Sequence, residues 1–125
     1  MLKGARAFSG FSVDDLAAAK KFYGETLGLG FLNEEMGLRL DVAGPNGVFV
    51  YEKEDHVPAT YTILNFVVDD IDQAVDDLAG KGVRFERYEG VTDHKGIARG
   101  RSISQGPDIA WFKDPAGNFV SVLKG

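Results

Sequence analysis

The sequence predicts an α+β fold of two tandem strand–helix–strand–strand–strand (βαβββ) modules within one domain of 125 residues. Three observations predict it. Phe11-Ser12-Val13-Asp14-Asp15-Leu16 returns fifty-five residues later as Phe66-Val67-Val68-Asp69-Asp70-Ile71, and a repeat at fixed offset marks duplicated architecture. Within each copy the apolar spacing changes from two to three-and-four and back, as strand, helix and strand require. Each copy closes on a proline–glycine turn, Gly44-Pro45-Asn46-Gly47 and Asp114-Pro115-Ala116-Gly117. Module 1 covers about 1–57 and module 2 about 58–125, joined by a linker around 54–60 that holds Pro58.

Each element follows from local chemistry. Ala7, Ser9, Phe11 and Val13 alternate as a strand with one face on a core, and Leu64, Phe66 and Val68 repeat the pattern. An aspartate pair comes next, where a carboxylate can accept from an orphan amide of the following helix. Asp70 and Gln73 have the spacing of a capping box; the first copy has Ala18 there and a simpler cap. Leu16, Ala19, Phe22, Tyr23 and Leu27 make one helical stripe, stopped at Gly28. Ile71, Ala74, Val75 and Leu78 make the other, stopped at Gly80 and Gly82. Short strands follow, around Phe31 and over 83–88, and then hairpins over 38–51 and 109–123 whose turns carry proline at the second position. The second copy has fifteen extra residues, within a Gly-rich polar stretch at 89–106. Loops of this length are as a rule functional or disordered.

Composition narrows the function. Lys plus Arg is 14 against 19 for Asp plus Glu, a net charge of -5 that argues against a nucleic-acid partner. The absence of cysteine excludes disulfides, zinc-thiolate sites, iron–sulfur clusters and thiol nucleophiles. With only two histidines, a transition-metal site would depend on carboxylates. No apolar run reaches membrane length, so no membrane partner is expected. Met1-Leu2-Lys3-Gly4 lacks the apolar stretch of a signal peptide, and the expected location is the cytoplasm.

Val13-Asp14-Asp15-Leu16 through Phe22-Tyr23, Leu27-Gly28-Leu29, and Phe112-Lys113-Asp114-Pro115-Ala116-Gly117-Asn118 resemble the vicinal oxygen chelate superfamily. That superfamily includes glyoxalase I, extradiol dioxygenases and fosfomycin- and bleomycin-resistance proteins. The resemblance implies two modules that form a curved mixed sheet around a concave cavity. In its metal-using members, up to four side chains hold a divalent ion there. Carried over residue by residue, those slots fall on Phe8, Tyr51, Ile63 and Ser121, none a usual ligand. No metal and no other cofactor is therefore expected. The resemblance also implies a homodimer, in which a two-fold contact covers free strand edges.

Strand alternation assigns the face turned away from the helices. From module 1 it takes Phe8, Gly10, Arg39, Asp41, Phe49 and Tyr51; from module 2, Ile63, Asn65, Trp111, Phe119 and Ser121. By the resemblance this face lines a ligand cavity, and its aromatic character suits a small organic molecule. Two plainer readings stand beside it: Arg39 and Asp41 as a solvated pair, and the aromatic rings as core. His56 and His94 read as exposed loop residues. Asp93, His94, Ser102 and Ser104 invite a Ser–His–Asp triad, but no Gly-x-Ser-x-Gly elbow is present. Lys95, Arg99 and Arg101 read either as a solubilising loop or as a guide for an anionic ligand.

The favoured function is a metal-free small-molecule-binding protein of the glyoxalase/bleomycin-resistance type. The alternative is a lyase, isomerase or dioxygenase-type enzyme using displaced ligands (Asp41, Glu52, His56), or Asp41 or Glu52 as a base. A third reading is a ligand-free partner module. No catalytic residue is assigned.

Overall fold

Alternation holds in β1 (Ser9–Val13), where Phe11 and Val13 are buried on one face. The computed structural model describes residues 1–100 and 106–125. Two compact units divide it, Met1–Val57 and Pro58–Gly125. After β1 the first unit has α1 (Leu16–Lys21), a π-helical turn (Phe22–Thr26), β2 (Gly30–Asn33), β3 (Leu38–Asp41) and β4 (Val48–Glu52). The second has β5 (Thr62–Val68), α2 (Ile71–Gly80), β6 (Ile97–Arg99), β7 (Asp108–Lys113) and β8 (Phe119–Lys124).

Each unit forms a four-stranded mixed sheet, ordered β1-β4-β3-β2 and β5-β8-β7-β6. The first strand pairs parallel with the last, and the other ladders are antiparallel. Parallel pairing needs a crossover, which the helix supplies. The sequence repeat is thus a repeat of topology, and the architecture is the α+β arrangement of two tandem modules. Phe11, Tyr23, Leu38, Leu40 and Val50 form the first core; Val75, Ile97, Phe112, Val120 and Val122 lie in the second. Each such side chain contributes about 1.5–3 kcal/mol by leaving water.

Both helices start on the expected caps. Asp15 Oδ1 accepts from the Ala18 amide and Asp70 Oδ1 from the Gln73 amide, each at 3.1 Å. The capping box is only half made. Gln73 Nε2 donates forward to Asp77 at 2.7 Å, because a carboxylate four residues on lies on the same helix face. The first helix also departs from one α-helix up to Gly28. It widens after Lys21, and the Leu27 amide bonds to the Phe22 carbonyl five residues back. Gly24 lies in this wide turn against Phe31 of β2; a Cβ there would stand 3.1 Å from the ring.

The largest correction concerns the edge of the second sheet. The strand expected at 83–88 is reduced to one bridge, Phe85 with Phe112, in which the Glu86 amide donates to the Trp111 carbonyl at 2.8 Å. The stretch expected to be a loop contains β6, which pairs with Asp108, Ile109 and Ala110. The free edge of β7 is therefore shared by two pieces of chain. Gly96 makes this possible: its φ is +88°, and a Cβ there would stand 2.8 Å from the Phe85 Cβ.

The Asp114-Pro115-Ala116-Gly117 turn is a closed hydrogen-bond unit. Buried Asp114 accepts from the Ala116 and Asn118 amides through Oδ1, at 3.0 and 2.8 Å, and from Asn118 Nδ2 through Oδ2, at 3.1 Å. Asn118 Oδ1 in turn accepts from the Ala59 amide at 3.1 Å, which ties the start of the unit to its last hairpin. These residues carry much of the family resemblance, and their work here is structural.

Candidate functional site

On the first sheet, the non-core face assembles four of the anticipated residues into one column. β1 and β4 run side by side, with Gly10 opposite Phe49 and Ser12 opposite Tyr51. Arg39 on β3 is opposite Phe49. The Phe49 and Tyr51 rings stack at 5.8 Å, and Phe8 meets Phe49 edge-on at 6.4 Å. The Arg39 guanidinium lies 4.3 Å from the centre of the Phe8 ring and 5.5 Å from that of Phe49. Its Nη1 donates to the Asn46 carbonyl at 3.0 Å. Arg39 does not pair with Asp41, which is exposed at the end of β3 opposite Gly30. The two aromatic rings and a backbone carbonyl hold the cation instead. A recess of about 510 Å³ opens beside this column, lined in part by Arg6, Phe8, Leu32 and Arg39.

On the second sheet, Ser121 is opposite Trp111 on one side and Asn65 on the other. Ser121 is fully buried and its hydroxyl donates to Asn65 Oδ1. Ile63 falls where the β5–β8 register shifts, between Thr62 and Leu64, and such irregularities re-aim a side chain. Trp111 is half-buried and meets Tyr88 edge-on at 5.9 Å. Lys113 Nζ stands 5.1 Å from the centre of the Phe119 ring.

Two sequence expectations change here. His56 is half-buried, and its Nδ1 is 2.7 Å from Ser12 Oγ on β1, so it fastens the linker to the first sheet. Lys95 and Arg99, expected as a solubilising loop or as guides for an anionic ligand, are instead held by carboxylates of their own unit. Arg99 bonds to Asp72 and Asp93, and Lys95 to Asp72 and Asp76. Arg99, and then Lys95, hold the Asp72 carboxyl well below the usual carboxylate range. Burial pushes Asp93 up, but the Ile97 and Lys95 amides and Arg99 outweigh it, and its net shift is downward. Asp76 and then Asp72 raise Lys95, and Asp72 foremost raises Arg99. Sequence periodicity misses this network because α2 and β6 meet only in the folded unit. Asp93 serves its own loop, so it does not orient His94, which is exposed. Arg101, Ser102 and Ser104 lie outside the described residues.

The positions that the resemblance assigns to metal ligands do not fit a divalent ion. Phe8 carries a guanidinium on its ring, Tyr51 is stacked on Phe49, Ile63 has no donor atom, and the Ser121 hydroxyl is committed to Asn65. Among the described residues no group of three or more His, Asp or Glu is placed to hold a metal. Of the carboxylates weighed as bases, Glu52 is exposed and accepts from the Leu16 amide at 2.9 Å, capping α1. Among the described residues no helix is long and apolar enough to cross a membrane.

Solved structures share this fold at low identity. The antibiotic binding protein TnmS3 from Streptomyces sp. CB03234 is 22% identical at a TM-score of 0.64, over 95% of each chain. Fosfomycin resistance protein FosX from Listeria monocytogenes is 14% identical at 0.68, over 97% of this chain and 93% of its own. Lactoylglutathione lyase from Agrobacterium tumefaciens is 21% identical at 0.64, over 97% and 94%. Among curated proteins none matches the sequence. A family model of the Glyoxalase/Bleomycin resistance protein/Dioxygenase superfamily matches residues 8–122, and the chain belongs to that superfamily.

Proposed function

We propose that the protein is a cytoplasmic binding protein that holds a small organic molecule without a metal ion or other cofactor. The observation that carries this reading is the Phe8–Arg39–Phe49–Tyr51 column. It presents aromatic faces and a fixed cation on a sheet surface, with Phe8 57% exposed, beside a recess of ligand size. Rings that only filled a core would be covered. Trp111, Ile63, Asn65 and Phe119 belong to the second unit's own candidate ligand face, with Trp111 its natural reporter; Ser121, expected on that face, is fully buried and serves it only by holding Asn65. The enzyme reading has less support: a general base works best shielded from water, whereas Asp41 and Glu52 are both exposed. That a structural neighbour is an antibiotic binding protein supports the binding role.

The test is a nitrogen-15 NMR titration with 2-naphthalenemethanol, a flat neutral probe. Saturable shifts at the amides of Phe8, Arg39, Phe49 and Tyr51 are expected, and no saturable shift there with this probe or with its carboxylate counterpart, 2-naphthoate, would overturn the proposal. The same protein is assigned as a homodimer, since each open sheet leaves edges that a two-fold contact protects. Sedimentation equilibrium should give twice 13.6 kDa; a single species of 13.6 kDa at high concentration overturns that assignment.

A further inference from the structure

Arg39 is a half-buried guanidinium with no carboxylate beside it. Lys20, Lys53, Lys95, Arg99 and Lys113 each meet an acidic side chain. Among the described residues the arginines in no ion pair are Arg6, Arg39, Arg84 and Arg87, and of these only Arg39 is half-buried, the others being exposed. Arg39 is nonetheless fixed. Phe8 and Phe49 hold it by their ring faces, and Nη1 is committed to the Asn46 carbonyl. Asn46 is itself anchored, its Nδ2 donating to the Ala7 carbonyl at 2.9 Å. A guanidinium has five N–H donors in a rigid fork, so a pinned Arg39 offers a preoriented edge.

That edge borders the recess of about 510 Å³, which Arg6 also lines. Phe8, Leu32 and Pro45 supply apolar walls beside the two cations. We infer that the ligand of this recess is an organic anion, with a carboxylate, sulfonate or phosphonate carried on a flat apolar ring. The inference deepens the binding function proposed above and rests on it. The acid group meets the Arg39 fork in charge-assisted hydrogen bonds and supplies the counter-charge that the protein withholds. The ring lies against Phe8 and Leu32. A neutral ring gains the same apolar contact but leaves the cation uncompensated.

Calorimetric titration of the full chain with 2-naphthoate and with 2-naphthalenemethanol tests this, because the two probes share a ring and differ in charge. The carboxylate should bind about tenfold tighter in dilute buffer, the scale of a hydrogen bond to a charged group. Added sodium chloride should shrink that ratio. Arg39→Gln should collapse it, and Arg39→Lys should restore part of it by keeping the charge. Arg6→Gln, at an exposed residue outside the core, should lower it as well and decides the matter if Arg39→Gln fails to fold. Equal affinities for the two probes overturn the anion inference and leave the binding function standing. Binding of neither probe overturns both. A carboxylate preference that persists in Arg39→Gln and Arg6→Gln also overturns the inference.

Discussion

Arg99 meets Asp72 as a fork meets a carboxylate, with Nη1 2.9 Å from Oδ2 and Nη2 2.8 Å from Oδ1. Asp72 is in the first turn of α2 and Arg99 at the end of β6, so the pair fastens an edge strand of three residues to a helix. Lys95 reinforces it from the preceding loop, reaching Asp72 at 3.0 Å and Asp76 at 2.9 Å. A strand this short on a shared edge has few ladder bonds of its own. Its attachment therefore depends on side chains to an unusual degree.

Asp72→Asn should loosen β6 without unfolding the unit. Hydrogen exchange at Ile97, Ala98 and Arg99 should speed up several-fold, while the amides of β8 in the sheet centre keep their protection. Unchanged exchange at β6 would show that the ladder with β7 is sufficient. The wild-type pH dependence follows from the shifts. Because the Asp72 pKa is depressed below its ordinary 3.8, its contribution is complete above that value and is lost as pH falls through the lower, folded one. Because the Lys95 pKa is raised above 10.5, its contribution is complete below that value and is lost as pH rises through the higher, folded one. Protection of β6 should be flat at neutral pH and fall only at the acidic and basic extremes.

Asp114→Ala removes three acceptor contacts from a buried turn and leaves the Ala116 and Asn118 amides without their partner. The expected loss is about 3 kcal/mol in urea unfolding, from the usual worth of hydrogen bonds to a charged group. Asn118→Ala should cost less, about 1–2 kcal/mol, and should also loosen Ala59, whose amide it holds. A loss below half a kilocalorie for Asp114→Ala would mean that backbone geometry alone keeps the turn.

Trp111 is the sole tryptophan, so its fluorescence reports both unfolding and any ligand at the second sheet's face. It is half-buried with Tyr88 at its edge. Trp111→Ala should cost about 1–2 kcal/mol, combining a lost aromatic pair with partial loss of burial. It should weaken an aromatic ligand by about 1–3 kcal/mol if the ring stacks on it. A stability loss of about 3–5 kcal/mol, typical of a buried aromatic, would make Trp111 core and remove it from the candidate face.

What the sequence determined by itself was local or repeated. Asp15 and Asp70 cap their helices because a carboxylate reaches an amide three residues on in any helix start. The alternation of Leu38 and Leu40 against Arg39, and of Val50 against Phe49 and Tyr51, assigns strand faces because the pleat has period two. The repeated turn made the duplicated topology legible, and with it the column of Phe8, Phe49 and Tyr51. Tertiary structure decided everything that needed a distant partner. β6 is three residues long, too short for its period to stand out, and it is a strand because β7 has a free edge at Asp108, Ile109 and Ala110. Lys95 and Arg99 are anchors because α2 presents Asp72 and Asp76 to them, more than eighteen residues earlier in the chain. Arg39 leaves Asp41 for Phe8 because folding brings β1 and the Asn46 turn to its side. Spacing along a chain encodes which face a side chain takes; what it meets there depends on which edges and rings the rest of the fold leaves open.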